Sequence, residues 1–252
     1  MQRVMDPSGA MEWLAGRPAQ EALTGYEMPG WPASAWVLHA MYENPDLRGL
    51  GTHDDVHRRR VEFGAVAPLI IGDVNMDEIA TVSGTPLGFV VSPGQPWLRL
   101  RWEDYLSRFP DVAAARAFPP SDSWFPAGSW PLAVEPPPEG SLDEESLAAL
   151  ADVLGARSPD GARTPVLAFF GSLPAGGDFD AIHLWAGPLG EVMSLLEDHG
   201  GPYRFSPTNI WPVDRTWFVW TDYDLPATRV SGDPALIAAL VSNPHLECIR
   251  CD

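Results

Sequence analysis

The chain has 252 residues, 45% of them hydrophobic, and a formal net charge of −18 from 34 acidic and 16 basic side chains, every basic one an Arg. Phosphates are repelled by that balance, which disfavours general nucleic-acid binding, and it disfavours anionic membrane surfaces for the same reason. A basic protein partner is compatible with it.

The length allows one large domain or two small ones. Met1 to Ala10 has no apolar signal region, and no run of about 18 apolar residues occurs, so a soluble cytoplasmic protein is expected. The only two cysteines, Cys248 and Cys251, cannot make a disulfide framework.

Residues 1–32 are rich in Pro and Gly, with a short helix expected at Met11–Ala15. Ser34–Glu43 reads as a helix capped by Ser34, with Trp36, Val37, Ala40 and Met41 on one face. Thr52–Phe63 reads as a second helix, with Thr52 and Asp55 forming a capping box and Gly64 as its stop. Leu69–Ile71 predicts a short buried strand, and Leu87–Val91 with Trp97–Arg101 predicts a hairpin-like pair. Trp102–Arg108 predicts a short helix.

Residues 117–140 hold the densest Pro content and read as a linker, whose Trp and Phe residues imply packing along a surface. It divides the expected subdomains, 1–116 and 141–252. Ser141 and Glu144 predict a capping box for a helix with Leu147, Leu150, Ala151 and Leu154 on its apolar stripe. Strands are expected at Val166–Phe170 and Ile182–Trp185, and a helix at Pro188–His199.

The densest aromatic run is Thr216–Trp220, a strand with Trp217 and Val219 on one face and Phe218 and Trp220 on the other. Both faces are apolar, which predicts a central strand covered on both sides. Ala227–Val230 resumes as a strand. Asp233 then caps a helix that has Pro234 in its first turn and carries Leu236, Ile237, Leu240 and Val241. Leu246–Arg250 reads as a last strand. The sum is an α+β protein with mixed or antiparallel sheets and flanking helices, in two subdomains.

Four groups of side chains could carry chemistry. His53 and His57, four apart on a helix, share a face and could hold a metal with Asp54 beside them, as in a metal-dependent hydrolase. Asp54 stands where zinc proteases carry Glu, however, and Arg58, Arg59 and Arg60 follow directly. Solvated acids at a helix start explain the same residues. Asp222 and Asp224 would point the same way in an extended chain, with Asp214 nearby in sequence, although strand-end acids are commonplace. Cys248 and Cys251 would lie about 10 Å apart in a strand, beyond the roughly 7 Å that a disulfide spans. Finally, 11 Trp residues supply contact area for a partner or for stacking on sugars. Trp211, Trp217 and Trp220, with Asp222, Tyr223 and Asp224, are the expected binding residues. No dinucleotide, phosphate-loop or nucleophile-elbow motif is present, and no cofactor is expected.

The stretch Ser206–Leu225, with Thr228–Gly232, Leu236–Ile237 and Pro244–Glu247, resembles a group of uncharacterised conserved bacterial proteins over about the last fifth of the chain, and that resemblance carries no catalytic motif. An acidic α+β protein with Trp-rich strands is also similar in style to toxin-neutralising immunity proteins such as the SUKH group. That likeness implies a non-catalytic module that grips a basic protein toxin. The alternatives are the His53/His57 hydrolase and a carbohydrate- or small-ligand-binding module on the aromatic strand.

Overall fold

The computed structural model describes residues 1–14, 21–68, 70–75, 88–115, 117–125, 128–176 and 181–251. Its strands, in chain order, are β1 (Gln2–Arg3), β2 (Ala33–Leu38), β3 (Met41–Glu43), β4 (Ile70–Ile71), β5 (Val74–Asn75), β6 (Leu98–Leu100), β7 (Val134–Glu135), β8 (Pro165–Phe170), β9 (His183–Pro188), β10 (Asn209–Pro212), β11 (Phe218–Thr221), β12 (Ala227–Gly232) and β13 (Cys248–Cys251). Eight of them form one sheet in the order β1-β9-β8-β10-β11-β12-β2-β13, with every pairing antiparallel. β6-β3-β7 make a small second sheet. The fold is α+β.

The two faces of the large sheet are covered differently. One presents Ala35, Val37, Val166, Ile210, Trp217, Val219 and Val230 to the helices Glu144–Ala156 and Pro234–Val241. Leu147, Leu150, Val153 and Leu154 from the first helix and Leu236, Ile237 and Leu240 from the second complete that core. The other face presents two aromatic clusters. Leu38 and Trp36 pack with Trp102, Tyr105, Trp124 and Trp130. Phe169, Trp211 and Phe218 pack with Leu14, Trp13, Tyr26 and Trp31. β11 and the residue before it split their side chains as the alternation predicts, Trp217 and Val219 to the helical face and Phe218 and Trp220 to the aromatic face.

The segment expected to be a helix at Ser34–Glu43 is β2 followed by β3. β2 lies between β12 and β13, so Ser34–Leu38 are all buried. Its apolar residues occupy both faces of the sheet, which hides the period of two and leaves a spurious helical stripe. β2 also places residues from 1–116 in the same sheet as residues from 141–252. Residues 117–140 pack Trp124 and Trp130 into an aromatic cluster and supply β7, which pairs with β3, so the two expected subdomains share one framework.

Other elements shift. The N-terminal helical turns span Ser8–Leu14, and Ala15 lies outside the described residues. Ile70 in β4 is exposed, because β4 pairs only with β5; Leu69 is outside the described residues. Leu87 is also outside them, and no hairpin forms from 88–101: β6 pairs with β3 through Met41 and Leu100. The helix after the Pro-rich segment starts at Glu144 with Asp143 as its cap, because the Ser141 hydroxyl, fully buried, instead accepts from the Ser206 amide at 2.8 Å. Pro188–His199 winds as two 3₁₀ segments, Leu189–Leu195 and Glu197–His199. Leu189, Val192 and Leu195 are three apart and all buried, which suits three residues per turn. Val241 leaves its expected stripe and is exposed, at the end of the helix.

Candidate functional site

A cleft of about 410 Å³ opens on the aromatic face, lined by Glu27, Trp36, Phe118, Pro119, Trp220, Arg229, Arg250 and Cys251. It lies where the two aromatic coverings meet. Trp36 belongs to the first cluster, and Trp220 packs against both. Its floor follows from strand register. Arg229 of β12 pairs with Trp220 of β11 on one side and Trp36 of β2 on the other, so the three side chains form a row across three strands. The two indole rings stand 5.7 Å apart at 52°, a corner and not a parallel slot. The Arg229 guanidinium carbon lies 5.9 Å from the Trp36 ring centre, within cation–π reach.

Arg229 is held from both ends. Its guanidinium donates to the Glu27 carboxylate and, at 3.2 Å, to the Ser34 hydroxyl. Two donors of the row, Trp220 Nε1 and Arg229 Nε, are closed off from solvent without a partner among the described residues. Arg250 on β13 makes no ion pair among the described residues. The opposite wall is Phe118–Pro119. Phe118 is 55% exposed and meets Trp124 edge to face, with ring centres 5.3 Å apart. Trp124 is buried, and its indole N–H donates to the Ala117 carbonyl, which ties this strap to the core.

The expected binding residues divide sharply. Trp211 and Trp217 are buried core, 1% and 2% exposed, on opposite faces of the sheet, and offer nothing to a partner. Trp220 alone of the three reaches the cleft. Asp222, Tyr223 and Asp224 form the turn between β11 and β12; the Asp224 amide donates to Asp222 Oδ1 at 3.1 Å, so the two acids are not side by side on extended chain. Burial raises the Asp222 carboxyl above its ordinary range, opposed by hydrogen bonds from Asp224 and Thr24. Asp214 likewise bonds within its own turn, to Thr216.

The helix His53–Glu62 is capped by Thr52 and Asp55 as the sequence predicts. Its first histidine spends Nε2 on the Val134 carbonyl at 2.9 Å, so that nitrogen donates. The Asp54 amide bonds Ser129. Burial raises the Glu135 carboxyl, with His53 opposing the shift. Among the described residues no three metal-capable side chains converge, at His53, Asp54 and His57 or elsewhere. Cys248 and Cys251 are both free thiols on β13. Cys248 packs against the helical core, where burial pushes its thiol up to about 12 and so disfavours the reactive thiolate. Cys251 faces the cleft.

The sequence alone did not single out Trp36, Arg229, Glu27, Phe118, Pro119 or Arg250. A readable signal existed only for the row: once β2, β11 and β12 are taken as neighbours, Trp36, Arg229 and Trp220 must share a face. No family model, curated protein or solved structure matches the chain. Among the described residues no helix is long and apolar enough to cross a membrane.

Proposed function

We propose that this chain is a non-catalytic binding protein whose grip is the cleft between Trp36, Trp220 and the Phe118–Pro119 strap. The observation that carries the reading is a cleft of about 410 Å³, within the ordinary range of small-ligand sites, lined by the exposed Phe118, by Trp220 and by the largely buried Trp36. Aromatic walls with a few fixed polar groups favour a small ligand over a flat protein surface. A thermal-shift screen of small aromatic and saccharide ligands tests it. Hits should stabilise the wild type and lose their effect in Phe118→Ala. A screen without hits, or hits indifferent to that change, would remove the cleft from consideration.

A second reading rests on charge. At −18 the surface suits a basic protein partner, a toxin included. Co-purification from the native cell should then return a stoichiometric basic protein that is released by salt. A clean monomer would count against that reading.

A further inference from the structure

We infer that the outer edge of β13 takes an extended segment of a basic partner protein, added to the sheet as an antiparallel strand; this rests on the protein-partner reading. The first support is strand parity. The Leu38 amide donates to the Glu247 carbonyl at 2.8 Å, and on the other side of β2 the His39 amide donates to the Pro226 carbonyl at 3.0 Å. Antiparallel partners alternate between bonded and non-bonded pairs. The register therefore makes Trp36 with Ile249 and Ser34 with Cys251 the bonded pairs, and Val37 with Cys248 and Ala35 with Arg250 the non-bonded ones. Cys248 and Arg250 aim their main-chain N–H and C=O away from β2. β13 ends the sheet, and among the described residues no partner takes those groups. Such an edge is a template for one more strand.

The second support is the space beside that edge. A sheet separates its two faces except at its margin. A cavity of about 500 Å³ is lined by Leu106 and Trp124 of the aromatic covering, by Val241 and Asn243 at the end of a helix on the other face, and by Cys248 and Ile249 between them. Arg250 shares a face with Ala35, on the helical side, yet it lines the aromatic cleft beside Phe118 and Cys251, so that cleft also reaches the margin. The two spaces flank the first and second halves of β13. In an added antiparallel strand, the residues that bond Cys248 and Arg250 share their face. The alternate residues turn toward Ile249, Cys251 and the aromatic covering, which calls for apolar side chains there. Charge selects the partner: a second copy of this chain also carries −18 and is repelled, whereas a basic segment is attracted.

The experiment titrates the isotope-labelled full chain with the capped peptide Lys-Lys-Val-Thr-Val-Thr-Val-Lys-Lys, reading affinity by calorimetry and amide exchange by NMR. Its two Thr residues are those that bond Cys248 and Arg250. The amides of Cys248 and Arg250 should exchange freely in the unbound protein and become protected in the complex. N-methylation of both Thr should abolish binding; N-methylation of the central Val, whose amide faces outward, should not. Arg250→Pro removes an edge N–H that β2 does not use, so the fold should hold while affinity falls about fivefold or more. Arg250→Gln should bind like the wild type. Should the Pro variant fail to fold, the two N-methylated peptides carry the test on the wild type. A Glu-flanked copy of the peptide should bind about tenfold more weakly at low salt. If the Lys-flanked peptide binds but neither N-methylation nor Arg250→Pro matters, the edge assignment falls while a basic partner stands. If the Glu-flanked copy binds equally well, the basic partner falls while strand addition stands. If both amides are already protected in a dimer seen by sedimentation, a second copy holds the edge and the inference fails. It fails equally if no peptide binds.

Discussion

The two faces of the eight-stranded sheet bury comparable sets of large side chains by different means. The helical face is sealed by two amphipathic helices whose Leu and Ile stripes meet Val, Ile and Ala of the strands. The aromatic face is covered by short helical turns and loops, from the N-terminal region and from 98–115, 117–125 and 128–134, whose Trp, Tyr and Phe residues interlock ring on ring. Helices repeat their contacts every turn and leave little space. Rings on short helical turns and loops meet at angles, and two such coverings leave a seam where they abut. The seam is the cleft. If the seam is the binding cleft proposed above, stability and ligand recognition fall to opposite faces, and each prediction below tests that division.

The largest expected effect lies on the sealed face. Leu154 is fully buried in the helical core. Leu154→Ala should cost about 3 kcal/mol of unfolding free energy through lost transfer energy and a residual cavity. Chemical denaturation reads the loss. Ligand affinity, measured on the folded fraction, should be unchanged. A parallel drop in affinity would show that the two faces are coupled.

Next comes the joint between β2 and β3. His39 is fully buried, donates from Nδ1 to the Pro138 carbonyl at 2.6 Å and accepts at Nε2 from the Thr228 hydroxyl at 3.0 Å. Burial depresses its pKa to about 4, with Pro138 and Asp143 opposing the shift. The folded value lies below the ordinary 6.5, so the unfolded chain binds the proton more readily. The contribution is fully present above pH 6.5 and is lost as pH falls through about 4, about 3 kcal/mol in all. Denaturant midpoints between pH 7 and pH 4 measure it. His39→Gln should flatten that part of the profile. An unchanged slope in the variant would assign the acid sensitivity elsewhere.

Glu43 gives a smaller, separate acid window. Arg108 donates to both its oxygens, at 2.9 and 3.1 Å, and Arg48 adds a third bond. The Arg108 bonds chiefly hold its carboxyl down to about 2, against a desolvation that raises it. Here the stabilisation is present above pH 4.5 and is lost as pH falls through about 2, below the His39 window. Glu43→Gln should cost about 2 kcal/mol at pH 7 and remove that lower step. Because Glu43 anchors the small sheet to the aromatic covering, the variant should also loosen the strap and raise hydrogen exchange in 117–125 before the helices respond.

Sequence periodicity revealed the helical face well, because helices Glu144–Ala156 and Pro234–Val241 display their apolar stripes every three to four residues. β11 was legible for a different reason: an aromatic and β-branched run favours a strand whichever faces its residues take. β2 was not, since a strand apolar on both sides looks the same at either period. The cleft was less legible still. Trp36, Arg229 and Trp220 are brought together only by the pairing of β2, β12 and β11, and Glu27 joins them from 202 residues away along the chain. The aromatic count pointed to Trp211 and Trp217 as contact residues, but both rings lie in the core, because composition does not say which ring ends up there. The Pro-rich segment read as a linker supplies instead a wall of the cleft, its Pro residues setting the path and its Trp residues the anchor.

The smallest effect on stability is expected where the effect on binding should be greatest. Phe118 is more than half exposed, and among the described residues its ring contact is a single edge-to-face meeting with Trp124. Phe118→Ala therefore removes little buried area and should change unfolding free energy by no more than about 0.5 kcal/mol, as exposed substitutions do. In the bound state the same ring would be covered by ligand, and its loss removes one of the two apolar walls. At about 25 cal/mol per Å², some 40 to 60 Å² of aromatic surface newly buried is worth about 1 to 1.5 kcal/mol, a five- to tenfold drop in affinity. Calorimetry and denaturation on one variant thus give opposite answers if the faces divide their labour. A Phe118→Ala protein that loses stability and keeps its affinity would reverse the assignment, making the strap a structural clasp and the seam beneath it an accident of packing.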